Sequence, residues 1–179
     1  TEGAPMAAVA DNKYFKDIVH PILVLEGDKL PSSAFNADGS VPTGTTKYEK
    51  RGVAVNVPKW DATKCIQCNQ CSFVCPHACI RPALVKKGTD KPITFVTKDM
   101  IGNKDYEYRM QVSALDCMGC GVCADICPAK EKALTMVPFG TIVENETVNY
   151  EYSEKLPEVN VSACPGCKTS TVKGSQFNK

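Results

Sequence analysis

Three features of the 179-residue chain predict an α+β fold in which two copies of one small unit pack about a pseudo-twofold axis. Nine of the eleven cysteines fall between residues 60 and 137. Within that region Cys65, Cys68, Cys71, Cys75 and Pro76 recur as Cys117, Cys120, Cys123, Cys127 and Pro128, at a constant offset of 52. Self-similarity at a fixed offset marks a repeated structural unit. Short strand-like stretches lie around the runs, while the cysteine loops have little periodicity of their own.

Taken in order, residues 1–59 read as an N-terminal arm, the end of a preceding domain plus a linker. Tyr14, Phe15, Ile18, Val19 and Ile22 have helical spacing, and Pro21 is expected to break or restart that helix. Leu30 through Thr46 is a Gly/Pro/Ser/Thr-rich loop. Gly52–Val57 alternates as a short strand does and is expected to end at Pro58.

Residues 60–137 form the two-site domain. Between the cysteine runs lies an insertion, about Ala83 to Met110, with strand-like Ile93–Val96 and Tyr106–Val112. Ala133–Val137 reads as a further strand, two short helices are expected after the motifs, and two small sheets complete the unit. Residues 138–179 read as a C-terminal linker, with a possible helix over Glu144–Leu156 and a lone pair, Cys164 and Cys167.

Composition narrows the function. With 21 basic against 20 acidic residues the net charge is +1, which argues against a nucleic-acid footprint or an anionic-membrane anchor. No apolar run reaches the length of a membrane span. An odd cysteine count and no visible signal peptide speak against a disulfide framework, so a soluble, cytoplasmic chain in a reducing compartment is expected. Asn145–Thr147 and Asn160–Ser162 match the glycosylation pattern, but three-residue matches arise by chance. The chain starts without an initiator Met and is expected to be a fragment or a processed piece.

The spacing of the cysteines then selects their chemistry. Zinc sites usually pair two Cys-x2-4-Cys knuckles a dozen or more residues apart. Here three cysteines come at spacing three and a fourth follows four later with Pro behind it, twice. That run is the general signature of bacterial 4Fe-4S ferredoxins, in which the fourth cysteine ligates the other cluster. A backbone curled tightly around a cube can place three thiolates on three corners, and the fourth corner is then out of reach. Cluster one is accordingly expected to take Cys65, Cys68, Cys71 and Cys127, and cluster two Cys117, Cys120, Cys123 and Cys75. Gly119 and Gly121 let the backbone approach cluster two closely, where Gln67, Asn69 and Gln70 occupy the matching loop around cluster one. That asymmetry is expected to make the two potentials unequal.

Other candidates take structural readings. Cys79 is expected to pack as a small buried residue. A lone C-x-x-C, Cys164 and Cys167, could be a redox dithiol or half a zinc site, and its role stays open. His20 and His77 read as structural, and Trp60, Tyr106 and Tyr108 as packing over the clusters or the sheet. No Walker or dinucleotide fingerprint and no acid/base or nucleophile constellation stands out, so no catalytic residue is assigned.

Long specific stretches also resemble a known family. Lys47–Pro58 followed by Trp60, Cys65–Cys71 with Cys75-Pro-His77 and Ile80-Arg-Pro82, Leu115–Leu134, and Lys173–Phe177 closely resemble pyruvate:ferredoxin (flavodoxin) oxidoreductase. The resemblance runs from about Phe15 to Phe177. It implies the ferredoxin-like domain bearing two 4Fe-4S clusters, with the thiamine diphosphate domain and its own cluster lying after Lys179. The implied role is an electron relay from the thiamine site to ferredoxin or flavodoxin, docked among the remaining domains or subunits of a 2-oxoacid oxidoreductase. The chain itself is expected to hold no thiamine diphosphate and to carry electron transfer without substrate chemistry. Cys79 and the Cys164/Cys167 pair depart from the family pattern.

Two other readings stand beside this one. A stand-alone ferredoxin is usually minimal and acidic, whereas residues 60–137 hold ten basic against eight acidic side chains and carry about a hundred flanking residues. A structural metal module would hold zinc without sulfide, which metal analysis separates from the relay.

Overall fold

A computed structural model describes residues 12–157, 159 and 171–177 of the chain. They divide into two compact units, Thr1–Arg51 and Gly52–Lys179. Cys164 and Cys167 lie outside the described residues.

In the first unit the apolar stripe around Phe15 forms helix, but not a regular one. A turn of wider π winding spans Phe15–Val19 and leads into α1 (His20–Leu23), which has Pro21 in its first turn. Proline lacks an N–H, so it is tolerated where a helix is restarting, and the chain restarts here without a break. Phe15 is buried against the Tyr48 ring, 5.1 Å between centroids. After a single turn at Gly27–Lys29, the Gly/Pro/Ser/Thr-rich stretch forms only single turns at Ser32–Ala34 and Thr45–Tyr48.

The second unit is a small mixed α/β assembly with two antiparallel sheets. One pairs β1 (Asn56–Trp60) with β5 (Leu134–Pro138), Trp60 standing opposite Leu134. The other has the order β2-β4-β3, from β2 (Ile80–Lys86), β3 (Lys98–Asp99) and β4 (Tyr106–Val112). β4 occupies the centre and its last five residues are buried, whereas β2 and β3 are edges.

Two expected strands shift. β1 does not stop at Pro58 but runs through it to Trp60. In a two-stranded sheet every strand is an edge, and an edge accepts a residue without an N–H. Ile93–Val96 is a turn, not a strand: the Phe95 amide donates to Pro92 O at 2.9 Å, which commits this backbone locally. Its apolar residues are split between full exposure at Ile93 and full burial at Phe95, beneath the Tyr152 ring.

Two four-residue helices, α2 (Gln70–Phe73) and α3 (Val122–Asp125), lie inside the cysteine runs, not after them. α4 (Val143–Glu154) follows β5 and packs on β4. Its contacts are polar as much as apolar. The Thr94 hydroxyl donates to Asn149 Oδ1 at 2.8 Å, the fully buried Asn149 amide returns a bond to Thr94 O, and Tyr152 Oη donates to Asp90 O at 2.8 Å. The short α5 (Val172–Ser175) is capped by Thr171, whose hydroxyl accepts from the Gly174 amide. The core gathers Ile80, Leu84, Met100, Tyr108, Met110, Val112, Leu134 and Phe177 between the large sheet and the cysteine loops.

Candidate metal centre

The two cysteine loops have the same backbone at the same offset. α2 and α3 begin and end 52 residues apart, each introduced by a left-handed residue, Asn69 (φ 61°) and Gly121 (φ 78°). Two residues earlier the left-handed conformation recurs, at Gln67 (φ 57°) and Gly119 (φ 70°). These reversals turn main-chain N–H groups inward. The Gln67 amide donates to Cys65 Sγ at 3.4 Å, and the Gly119 amide donates to Cys117 Sγ at 3.4 Å. Amide bonds to sulfur are what an iron–sulfur site uses to stabilise charge on its ligands.

Glycine adopts this conformation freely and asparagine tolerates it, while other L-residues are strained there by roughly 1–2 kcal/mol. The first loop carries Gln67 and Asn69 in it, and both side chains are buried in full hydrogen-bonding roles. Gln67 Nε2 donates to Asp99 O at 2.7 Å while its Oε1 accepts from the Ile101 amide at 2.9 Å. Asn69 Nδ2 donates to Lys173 O at 2.9 Å, and its Oδ1 accepts from Tyr108 Oη at 2.7 Å. Ser72 adds a bond to Gln176 Oε1 at 2.9 Å. Side-chain anchoring to the insertion and to residues 173–176 thus offsets the strain that the second loop avoids with glycine.

Gly119 is required for space as well. A Cβ there would stand 2.8 Å from Asn56 O and 3.2 Å from the Ala54 Cβ. Gly119→Ala is expected to cost about 2 kcal/mol or more, from left-handed strain and from overpacking against a fixed backbone carbonyl. A lowered denaturation midpoint, with iron lost first from the second loop, is the expected measurement.

The expected ligands fall around two cavities. One is walled by Cys65, Cys68, Cys71 and Cys127, with Trp60, Asn69, Tyr108 and Met110. The other is walled by Cys75, Cys117, Cys120 and Cys123, with Cys79, Pro58, Val112 and Met136. All eight predicted cysteines therefore line a cavity, and the fourth of each run stands with the first three of the other. Among the described residues no three His, Cys, Asp or Glu converge tightly enough for a single metal ion.

Burial makes three of these thiols, Cys71, Cys117 and Cys123, poor thiolates on their own. It pushes Cys71 up to about 12, with Cys65, Cys68 and Cys123 adding repulsion. It likewise pushes Cys123 up to about 11, with Cys117, Cys75 and Cys120 contributing, and raises Cys117. Ligation needs the deprotonated form, so a strongly cationic centre must bind for these groups to ionise at neutral pH. The donor set, the inward amides and the crowding of thiols fit an iron–sulfur group held by these residues.

Cys79 is buried as expected, pushed up to about 12 by burial first and then by Cys75, Cys117 and Asp116. Its thiol donates to Asp116 O at 3.0 Å, and its amide donates to Cys75 Sγ at 3.3 Å. That amide bond, the anchoring by Gln67 and Asn69, and the bond from Lys98 Nζ to Cys65 O at 2.7 Å have no spacing signal in the sequence. His77 is exposed and Tyr108 is fully buried over the first cavity.

Comparison with known proteins points to the same cluster chemistry. The family described as "4Fe-4S double cluster binding domain" matches residues 64–130. A second family, EKR, described as a domain of unknown function, matches residues 2–54. A pyruvate:ferredoxin oxidoreductase of Moorella thermoacetica is 53% identical over 98% of the chain and 15% of its own length. The chain is homologous to one segment of the pyruvate:ferredoxin/flavodoxin oxidoreductases. The pyruvate-flavodoxin oxidoreductase of Enterobacter agglomerans is 48% identical over 93% of the chain. A protein named pyruvate dehydrogenase (NADP(+)) from Cryptosporidium parvum is 42% identical over 94% of the chain and 9% of its own length. The chain spans about a seventh of the length of the Moorella and Enterobacter relatives (15% and 14%). As a double-cluster domain, residues 64–130 bind two 4Fe-4S clusters and serve electron transfer. No helix among the described residues is long and apolar enough to cross a membrane.

Proposed function

We propose that the chain is the two-cluster relay of a pyruvate:ferredoxin (2-oxoacid) oxidoreductase, lying between a thiamine diphosphate site elsewhere in the assembly and ferredoxin or flavodoxin as acceptor. When bound, each 4Fe-4S cluster takes up and releases one electron. The protein supplies ligands, hydrogen bonds to sulfur and a low-dielectric surround. Cys65, Cys68, Cys71 and Cys127 hold cluster one; Cys117, Cys120, Cys123 and Cys75 hold cluster two. The observation that carries this reading is the sorting of the eight cysteines around two cavities in that crossed arrangement.

The matching left-handed residues, helices and amide–sulfur bonds at offset 52 support a ferredoxin-like pseudo-twofold core. Residues 60–137 are that core, 1–59 the end of a preceding domain with its linker, and 138–179 the connection onward. The assembly is cytoplasmic. Close to eight irons and eight acid-labile sulfides per chain are expected, from two clusters of four of each. Reduction is expected to give two magnetically interacting paramagnets. Zinc without sulfide would sink the reading.

A further inference from the structure

Among the described residues, Trp60 Nε1 is the only buried side-chain nitrogen or oxygen without a hydrogen-bond partner. Native structures rarely leave such a group unpaired, and an orphan calls for an explanation, a partner supplied by something bound among them. Trp60 stands on the wall of the first cavity, with Cys65, Cys68, Cys71 and Cys127. Its position is fixed on two sides. The backbone is locked in β1 opposite Leu134, and the ring meets Tyr108 edge-on with 6.1 Å between centroids. The Arg109 guanidinium lies against the ring, 5.9 Å from its centroid.

The other wall groups offer the indole little. Tyr108 Oη and Asn69 Oδ1 are bonded to each other at 2.7 Å. Ile66, Ala133 and Leu134 have no side-chain acceptor, and Met110 has only a weak thioether. Among the side chains of this wall, sulfur is the acceptor chemistry that remains.

We propose that Trp60 Nε1–H donates a hydrogen bond to a sulfur of cluster one and holds that cluster's reduction potential up. Reduction adds negative charge to the sulfurs, a donated bond strengthens as that charge grows, and the reduced form is favoured. The second loop has no counterpart, since position 112, at the same offset, is Val112. Trp60 is thus a positioning residue that separates the two potentials. This inference rests on the ligand assignment proposed above.

The test uses the cluster-loaded 179-residue chain and its Trp60→Phe variant, with iron and sulfide measured first. Potentiometric EPR, its two signals assigned by substitution of Cys68 and Cys120, is expected to show about a tenfold loss in the equilibrium constant for reducing cluster one. That corresponds to about 59 mV for one electron. Cluster two is expected to be unmoved. Trp60 is the only tryptophan, so nitrogen-15 in the indole gives one assignable hyperfine coupling. A coupling to cluster one in the unaltered chain supports the proposal even if the variant fails to load. Unchanged potentials together with no coupling would overturn it. Absence of iron and sulfide would instead strike down the ligand assignment itself.

Discussion

Replacing Cys75 by alanine is expected to abolish the four-iron signal of the site formed by Cys117, Cys120 and Cys123. The site of Cys65, Cys68 and Cys71, which are its neighbours in sequence, is expected to survive. Iron and sulfide are expected to fall from about eight to about four per chain. The reason lies in the cavity walls: Cys75 shares its cavity with Cys117, Cys120 and Cys123 and is absent from the other. The identity of the lost signal is fixed by comparison. Cys75→Ala and Cys120→Ala are expected to lose the same signal, and Cys127→Ala and Cys68→Ala the other. Grouping of Cys75 with Cys68 instead would refute the crossed arrangement.

The sorting of the cysteines around two cavities was legible in the sequence because their spacing is a covalent property. Three thiols at spacing three come together in one tight loop, and the repeat pointed to a second loop like it. What stayed hidden depends on contacts remote in sequence. Gln67 and Asn69 look like ordinary polar loop residues. Their role follows from Asp99, Ile101, Tyr108 and Lys173, which fold back over the loop and hold it in a conformation natural to glycine. The N-terminal helix was visible in its apolar stripe, but its π winding was not, since spacing alone does not distinguish one turn width from another.

Failures of strand prediction have equally definite causes. Ile93–Val96 has strand-like composition, yet Pro92 lies before it and the local turn satisfies the Phe95 amide, leaving no row of groups for a ladder. Pro58 reads as a terminator until the sheet is known to have two strands, where an edge position tolerates it. The helix at Val143–Glu154 was anticipated from its sequence. Its attachment was not, because its partners lie remote in sequence: Thr94 and Asp90 for Asn149 and Tyr152, and a buried charge 37 residues away for Glu146.

That charge gives the second large effect. Glu146→Ala is expected to lower the stability of the loaded chain by about 3 kcal/mol, within the range for breaking a buried ion pair. For a chain of this size that is a fall of about 6–12 °C in the unfolding midpoint. The Arg109 side chain is only 4% exposed and its partner Glu146 16%. Its Nη2 donates to Glu146 Oε1 at 2.7 Å, its Nε to Gln111 Oε1 at 2.8 Å and its Nη1 to Val96 O at 3.1 Å. Glu146 Oε2 accepts from Gln111 Nε2 at 2.8 Å as well, so one carboxylate closes the whole network. Without it the guanidinium keeps its stacking on Phe95, 4.8 Å from the ring centroid, but no carboxylate balances its charge. The double replacement Arg109→Met with Glu146→Leu is expected to recover most of the loss, since an apolar pair removes both desolvation costs. A loss below about 0.5 kcal/mol in the single variant, the range of exposed pairs, would show that water reaches this network. The pair also bears on the first cluster site, because Arg109 lies against Trp60: α4, outside the matched double-cluster domain, braces the wall of that cavity from behind.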